Sequence, residues 1–143
     1  AQTNVDDINL SVKEFDLANV AMMKKDNKQA YIHLQKAASL DPTNSTFLNS
    51  AAFMAMSNGE LDVAMEYLDD ALPLDIERYG ESHPAVASVL NNMGTIWSKK
   101  GNHKKAVEYY EKALTVVENE LGKTHPRVVS IRDIRDVEKS KIE

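Results

Sequence analysis

The sequence predicts an all-α fold of three helix-turn-helix repeats and one closing helix, and three observations predict it. The chain aligns with itself at shifts of 34 and 42 residues. Apolar residues inside each copy return at three- and four-residue steps, the spacing of one helical face. Glycines and prolines fall at fixed points between those runs. At a shift of 42, Gly80-Glu81-Ser82-His83-Pro84-Ala85-Val86 returns as Gly122-Lys123-Thr124-His125-Pro126-Arg127-Val128, and Ala64, Tyr67, Ala71 and Leu72 return as Ala106, Tyr109, Ala113 and Leu114. At a shift of 34, Ala18, Ala30, Leu34 and Ala37 fall on Ala52, Ala64, Leu68 and Ala71. The repeats run over about 11–44, 45–86 and 87–125, with the closing helix over about 126–141. Stability in such an array comes from neighbour stacking on neighbour, and the whole chain reads as one domain.

Each element carries local signals. Ser11 with Glu14 is a capping-box pattern and places the start of the first helix there. The first inner turn is Lys25-Asp26-Asn27-Lys28, which has no glycine, so Asp or Asn is expected to supply its conformation. Asp41-Pro42-Thr43-Asn44 closes the first copy, with Asn44 placed to cap the next helix. Gly59 and Gly101 mark the inner turns of copies two and three, because glycine ends a helix in the left-handed conformation at little steric cost. Pro84 and Pro126 sit at first helical positions, where a missing N–H costs nothing. Pro73 falls inside the second helix of copy two and predicts a kink or a division after Leu72. In the closing helix Val128, Ile131, Ile134 and Val137 are expected to face inward. The 42-shifted counterparts of Leu90, Met93, Gly94 and Trp97 are Arg132, Arg135, Asp136 and Lys139, charges on which no fourth copy is expected to stack, as suits a solubilising end.

The recurring small residues have a packing reading. Ala18, Ala52 and Gly94 on first helices, and Ala30, Ala64, Ala106, Ala37, Ala71 and Ala113 on second helices, let backbones approach. Leu34, Leu68, Tyr110 and Trp97 are expected to fill the space beside them, and a bulkier residue at Ala64 to overpack it.

These residues resemble the tetratricopeptide repeat family. Leu90 to Trp97 (Leu-Asn-Asn-Met-Gly-Thr-Ile-Trp), then Gly101, Ala106, Tyr110 and Ala113, look like a complete repeat, and Leu40-Asp41-Pro42 looks like a repeat ending. The Gly-x-x-His-Pro connection and the 42-residue period are similar to the kinesin-light-chain variant. The resemblance covers roughly residues 11–128. It implies a right-handed α-solenoid and a protein-protein interaction scaffold, whose first helices line a concave groove that binds a peptide or partner protein. The groove positions it implies are Phe15, Asn19 and Met22 in copy one, Asn49, Phe53 and Met56 in copy two, and Asn91, Thr95 and Lys99 in copy three. An Asn amide offers both donor and acceptor to a peptide backbone, and Met adapts to irregular apolar shapes. The same Asn residues read equally as bridges between neighbouring helices, and the same Met residues as core. Some relatives hold a chaperone's C-terminal carboxylate in a basic clamp. The corresponding positions here are Phe15, Asn19, Ser50, Ser88 and Asn92, which lack the Lys and Arg for charge-assisted bonds.

Composition removes other classes. With no Cys among 143 residues there is no disulfide, thiolate metal site or cysteine nucleophile. A formal charge of −5 gives no overall field for nucleic acid. The longest apolar run, Ala51 to Met56, is far short of the roughly 20 residues that span a bilayer. The chain starts Ala1-Gln2 without a Met or an apolar leader, which reads equally as a trimmed or a mature exported chain, so no compartment is indicated. Four histidines occur without a His-Glu-x-x-His motif, a phosphate-binding glycine loop or a glycine-flanked serine, so neither an enzyme nor a cofactor is expected. His83 and His125 lie one repeat apart, about 8 to 10 Å or more, too far to share a metal. Adjacent carboxylates such as Asp69-Asp70 diverge around a helix.

Charge is uneven. Residues 1–72 hold five Lys and eleven acids, while residues 73–143 hold twelve bases and eleven acids. Lys99, Lys100, Lys104 and Lys105 form the one basic group. It reads as a solvated turn, or as a contact for an acidic ligand. The alternative to a groove-binding adaptor is therefore an assembly module that associates with itself through the acidic first half and the Lys99–Lys105 group.

Overall fold

A computed structural model describes residues 4–142. Those residues form seven α-helices and no strand: α1 (Val5–Met23), α2 (Asn27–Leu40), α3 (Ser45–Ser57), α4 (Leu61–Tyr79), α5 (Pro84–Lys99), α6 (His103–Leu121) and α7 (Pro126–Ser140). They divide into two compact units, Ala1–Leu74 and Asp75–Glu143, with the boundary inside α4. In the first unit α1 packs on α2 and α2 on α3; in the second α5 packs on α6 and α6 on α7.

The three inner turns share one geometry. After α3, the Gly59 N–H bonds the Met56 carbonyl at 3.0 Å and the Glu60 N–H reaches back to Ala55 at 2.9 Å, with Gly59 at φ +78°. Gly101 repeats this with φ +85° and a 2.9 Å bond from Asn102 to Trp97. This pair of bonds satisfies carbonyls that the helix end leaves open. The first turn makes the same bonds, from Lys25 to Met22 at 3.0 Å and from Asp26 to Ala21 at 2.8 Å. Its left-handed residue is Lys25, at φ 60°, rather than Asp or Asn as expected. Asp26 is needed one place later, where its carboxylate caps α2 by accepting from the Gln29 N–H at 3.1 Å. A side chain in the left-handed region costs about 1–2 kcal/mol, and glycine gives part of that back as unfolded-chain entropy. Lys25→Gly is therefore expected to stabilise the first unit by about 0.5–1 kcal/mol, read as a rise in the urea midpoint with unchanged slope; a lower midpoint would contradict it.

Three further expectations are corrected. The first helix begins at Val5, not Ser11, because the Asn4 side chain already accepts from the Asp7 N–H at 2.8 Å, and Asp6 and Asp7 suit the positive end of the helix. Ser11 is buried mid-helix and donates to the Ile8 carbonyl at 2.6 Å. Of the kink or division expected at Pro73, the division is absent, since α4 runs as one helix from Leu61 to Tyr79. A proline forfeits one helical hydrogen bond, here to the Asp69 carbonyl, and because Pro73 and Asp69 are both exposed, water can take the donor's place. In α7, Val128 and Ile131 are buried, but Ile134 and Val137 are 40% and 56% exposed, and the inward position is taken by Glu138 at 3%.

Other local readings agree with the structure. Asn44 caps α3 through bonds from Thr46 and Phe47 at 3.0 and 3.4 Å. The eight recurring alanines, Ala18, Ala52, Ala30, Ala64, Ala106, Ala37, Ala71 and Ala113, have no exposed surface, and Leu34 and Leu68 are equally closed off. Trp97 differs, remaining half-buried rather than filling an interior gap. Pro84 and Pro126 open their helices, and the preceding histidines do more than connect. The Nδ1 of His83 accepts from the Ala85 N–H at 3.0 Å and that of His125 from the Arg127 N–H at 3.1 Å, so each imidazole is a helix N-cap.

Candidate functional site

The first unit brings three of the anticipated groove residues together. A concavity of about 240 Å³ is lined by Met22 from α1, Leu34 from α2, and Asn49, Ser50, Phe53 and Met54 from α3. Leu34 and Met54 are buried and form its floor, while Met22 and Phe53 are 37% and 59% exposed. The α3 lining recurs at i, i+1, i+4 and i+5, one residue round the helix from the Asn49, Phe53, Met56 face expected from sequence. Met56 is consequently core, at 8% exposure, and is corrected as a ligand contact. Phe15 and Asn19 are half-buried and stand outside the lining. The Phe15 ring lies 5.0 Å from that of Phe47, tilted by 44°, and so ties α1 to α3. Ser50 and Met54 carried one usable signal: they flank Asn49 and Phe53 at the same four-residue step.

Chemically this site is an apolar pit with an amide on its wall. Phe53 is a large exposed aromatic beside a flexible thioether, a surface that accepts an aliphatic or aromatic side chain. The half-buried Asn49 amide forms part of the pit's wall, with its Oδ1 enclosed by the fold. Burying one such side chain is worth about 1.5–3 kcal/mol.

In the second unit Asn91, Thr95 and Lys99 lie along α5. The Thr95 hydroxyl is engaged inside the fold, donating to the Asn91 carbonyl at 3.1 Å and lying 3.1 Å from the Tyr110 hydroxyl. Burial raises Tyr110 above its ordinary 10.0; the Thr95 bond lowers it and the Glu138 charge raises it, leaving the net shift upward and the phenol protonated at neutral pH. Asn91 is half-buried, and its Oδ1 is fully buried with no hydrogen-bond partner among the described residues. Lys99 is exposed in the last turn of α5. Its neighbours are not a free patch: the Nζ atoms of Lys100 and Lys105 lie 5.3 and 4.4 Å from the Trp97 ring centre. One cation on this side escaped sequence reasoning. Arg127 of α7 donates to the Ser88 hydroxyl at 2.6 Å and to the Pro84 carbonyl at 3.4 Å, across 39 and 43 residues of chain.

The remaining histidines pair with acids. His33 Nδ1 lies 2.5 Å from Glu14 Oε2, and His103 Nδ1 lies 2.5 Å from Glu138 Oε1. Among the described residues no three His, Asp or Glu side chains converge to hold a metal. No described helix is long and apolar enough to cross a membrane.

Comparison with known proteins places these features in a family. The tetratricopeptide repeat pattern matches residues 42–119, more than half of the chain. Stress-induced-phosphoprotein 1 of Caenorhabditis elegans is 31% identical over 67 residues, 47% of this chain and 21% of that protein. The matched region thus spans about a fifth of that relative's length. A putative kinesin light chain of Podosopora anserina with nearly identical TPR-like repeats superposes with a TM-score of 0.76 at 14% identity, covering 90% of this chain and 65% of that one. The type III secretion chaperone SycD of Yersinia enterocolitica, solved with a peptide of the translocator YopD, gives 0.71 at 17% identity over 97% and 99% of the two chains.

Proposed function

Since the chain belongs to the tetratricopeptide repeat family, we propose that it is a protein-interaction scaffold, and that its first unit holds a peptide or partner protein by an apolar side chain set between Met22, Asn49 and Phe53. One observation carries this reading: an exposed Phe and an exposed Met flank a buried Leu34 and Met54 floor, with an amide beside them. The structure of SycD with a YopD peptide supports the class of ligand, since the same fold there holds a peptide. Asn49 orients the peptide backbone, and Met22 adjusts to the side chain. The clamp positions Phe15, Asn19, Ser50, Ser88 and Asn92 still lack a basic residue of their own, and Arg127 is committed to Ser88 and Pro84. The reading is therefore of apolar capture, not of a C-terminal carboxylate.

Peptides selected from a random phage library on the full chain test it. They are expected to share one aliphatic or aromatic anchor and to bind Phe53→Ser about tenfold or more weakly, the equivalent of roughly 1.4 kcal/mol. Phe53 is exposed, so the melting temperature of the variant should stay near that of the parent. Equal binding by parent and variant would reject the site.

A further inference from the structure

Helix α1 carries a second, exposed surface that the groove reading leaves unused. Asp6, Leu10, Lys13, Leu17, Val20 and Lys24 follow one another at steps of 4, 3, 4, 3 and 4. That alternation is the seam of a two-helix coiled coil, averaging about 3.5 residues per turn. Leu10, Leu17 and Val20 are 48%, 49% and 47% exposed, which is nearly uniform along the stripe, and the three charged members are exposed as well. Buried Ser11, Ala18 and Ala21 lie about a quarter-turn round the helix from the stripe, so none of the stripe residues is used in the inward packing.

We infer that this seam pairs with the same seam of a second copy, antiparallel about a two-fold axis, independently of the groove. Charge selects both the occupant and the direction. In an antiparallel pair centred midway along the stripe, Asp6 meets Lys24 of the other copy at both ends, Leu10 meets Val20, and Lys13 lies across Leu17. Lys13 can lay its methylene stem on that leucine and turn its ammonium outward. A parallel pair would instead set Asp6 on Asp6, Lys13 on Lys13 and Lys24 on Lys24, three like-charge contacts. The sequence of α1 is thus self-complementary in one direction only, which is what an isologous interface requires, and such an interface closes at two copies. The seam extends about 27 Å at 1.5 Å per residue and buries three apolar side chains per copy. That is below the size of a standard stable interface, so the dimer should dissociate in the micromolar range.

Sedimentation velocity of the full chain, from low micromolar to near-millimolar concentration, tests the pairing. The expected result is a monomer–dimer equilibrium that strengthens at low salt and stops at two. Leu17→Glu is expected to weaken it at least about tenfold without moving the melting temperature. Asp6→Lys should also weaken it, and Asp6→Lys with Lys24→Asp in the same chain should restore it, because the exchanged charges again face each other. A monomer at every concentration would overturn the proposal, including the case in which a different protein covers α1. So would association that ignores Leu17→Glu, assembly that continues past two copies, or a charge exchange that fails to rescue.

Discussion

Gly94→Ala is expected to destabilise the second unit by up to about 2 kcal/mol, although alanine is the better helix former. A Cβ at residue 94 would stand 2.7 Å from Tyr110 Cε1 and 2.8 Å from Cδ1, closer than atoms in a packed interior approach. The ring has little freedom to retreat, being buried and anchored at its far end by the Thr95 hydroxyl at 3.1 Å. Overpacking of this kind costs about 1–3 kcal/mol, and about 1 kcal/mol of helix propensity returns against it. Urea unfolding of the variant measures the difference. Tyr110→Leu in the same chain should relieve the clash, so that the two substitutions together cost less than the sum of each alone. A variant as stable as the parent would mean that the ring moves aside freely.

Substitution of Glu138 should have a larger effect still, and should remove a specific acid response of the protein. Burial alone would raise the Glu138 carboxyl, but hydrogen bonds from His103 and Ser98 and the charge of Lys141 outweigh it and hold the group below its ordinary 4.5. The His103 Nδ1–H donates to Oε1 at 2.5 Å and the Lys141 ammonium to Oε2 at 3.4 Å. A carboxyl lowered on folding stabilises the fold above its unfolded value, and that stability is lost as pH falls through the lowered one. Glu138→Ala is therefore expected to cost about 1.5–3 kcal/mol at neutral pH, the range for a hydrogen bond to a charged group. In Glu138→Gln the loss of stability below pH 4.5 should shrink relative to the parent. Chemical unfolding at neutral pH and in that acid range measures both, and parallel pH curves for parent and Gln variant would remove the assignment.

Much of this architecture was legible because its determinants are local or periodic. Gly59 and Gly101, the Asn44 cap and the alanine register act within a turn or recur at the repeat period, and each is found where its chemistry predicts. The misses have a common cause in choices between competing partners. Ser11-Glu14 and Asn4 both offer a helix start; the earlier cap wins, which frees Glu14 for His33, 19 residues away. Glu138 turns inward because His103, 35 residues earlier, supplies a donor, and Ile134 and Val137 are left facing out. No periodicity rule would bury a carboxylate in preference to an isoleucine. In the candidate site, the family resemblance picked out Met22, Asn49 and Phe53. Which neighbours join them depends on how α3 is rotated over Leu34, and that rotation brings in Ser50 and Met54 while enclosing Met56.

The histidines fall into two pairs of opposite chemistry. His83 and His125 serve as caps by accepting a backbone N–H at Nδ1, so that nitrogen must keep its lone pair and the ring proton resides on Nε2. His33 and His103 point Nδ1 at a carboxylate, which places a proton on Nδ1 instead. The same ring thus works from opposite ends of a hydrogen bond, as acceptor at the two Gly-x-x-His-Pro connections and as donor in the α1–α2 and α6–α7 packings.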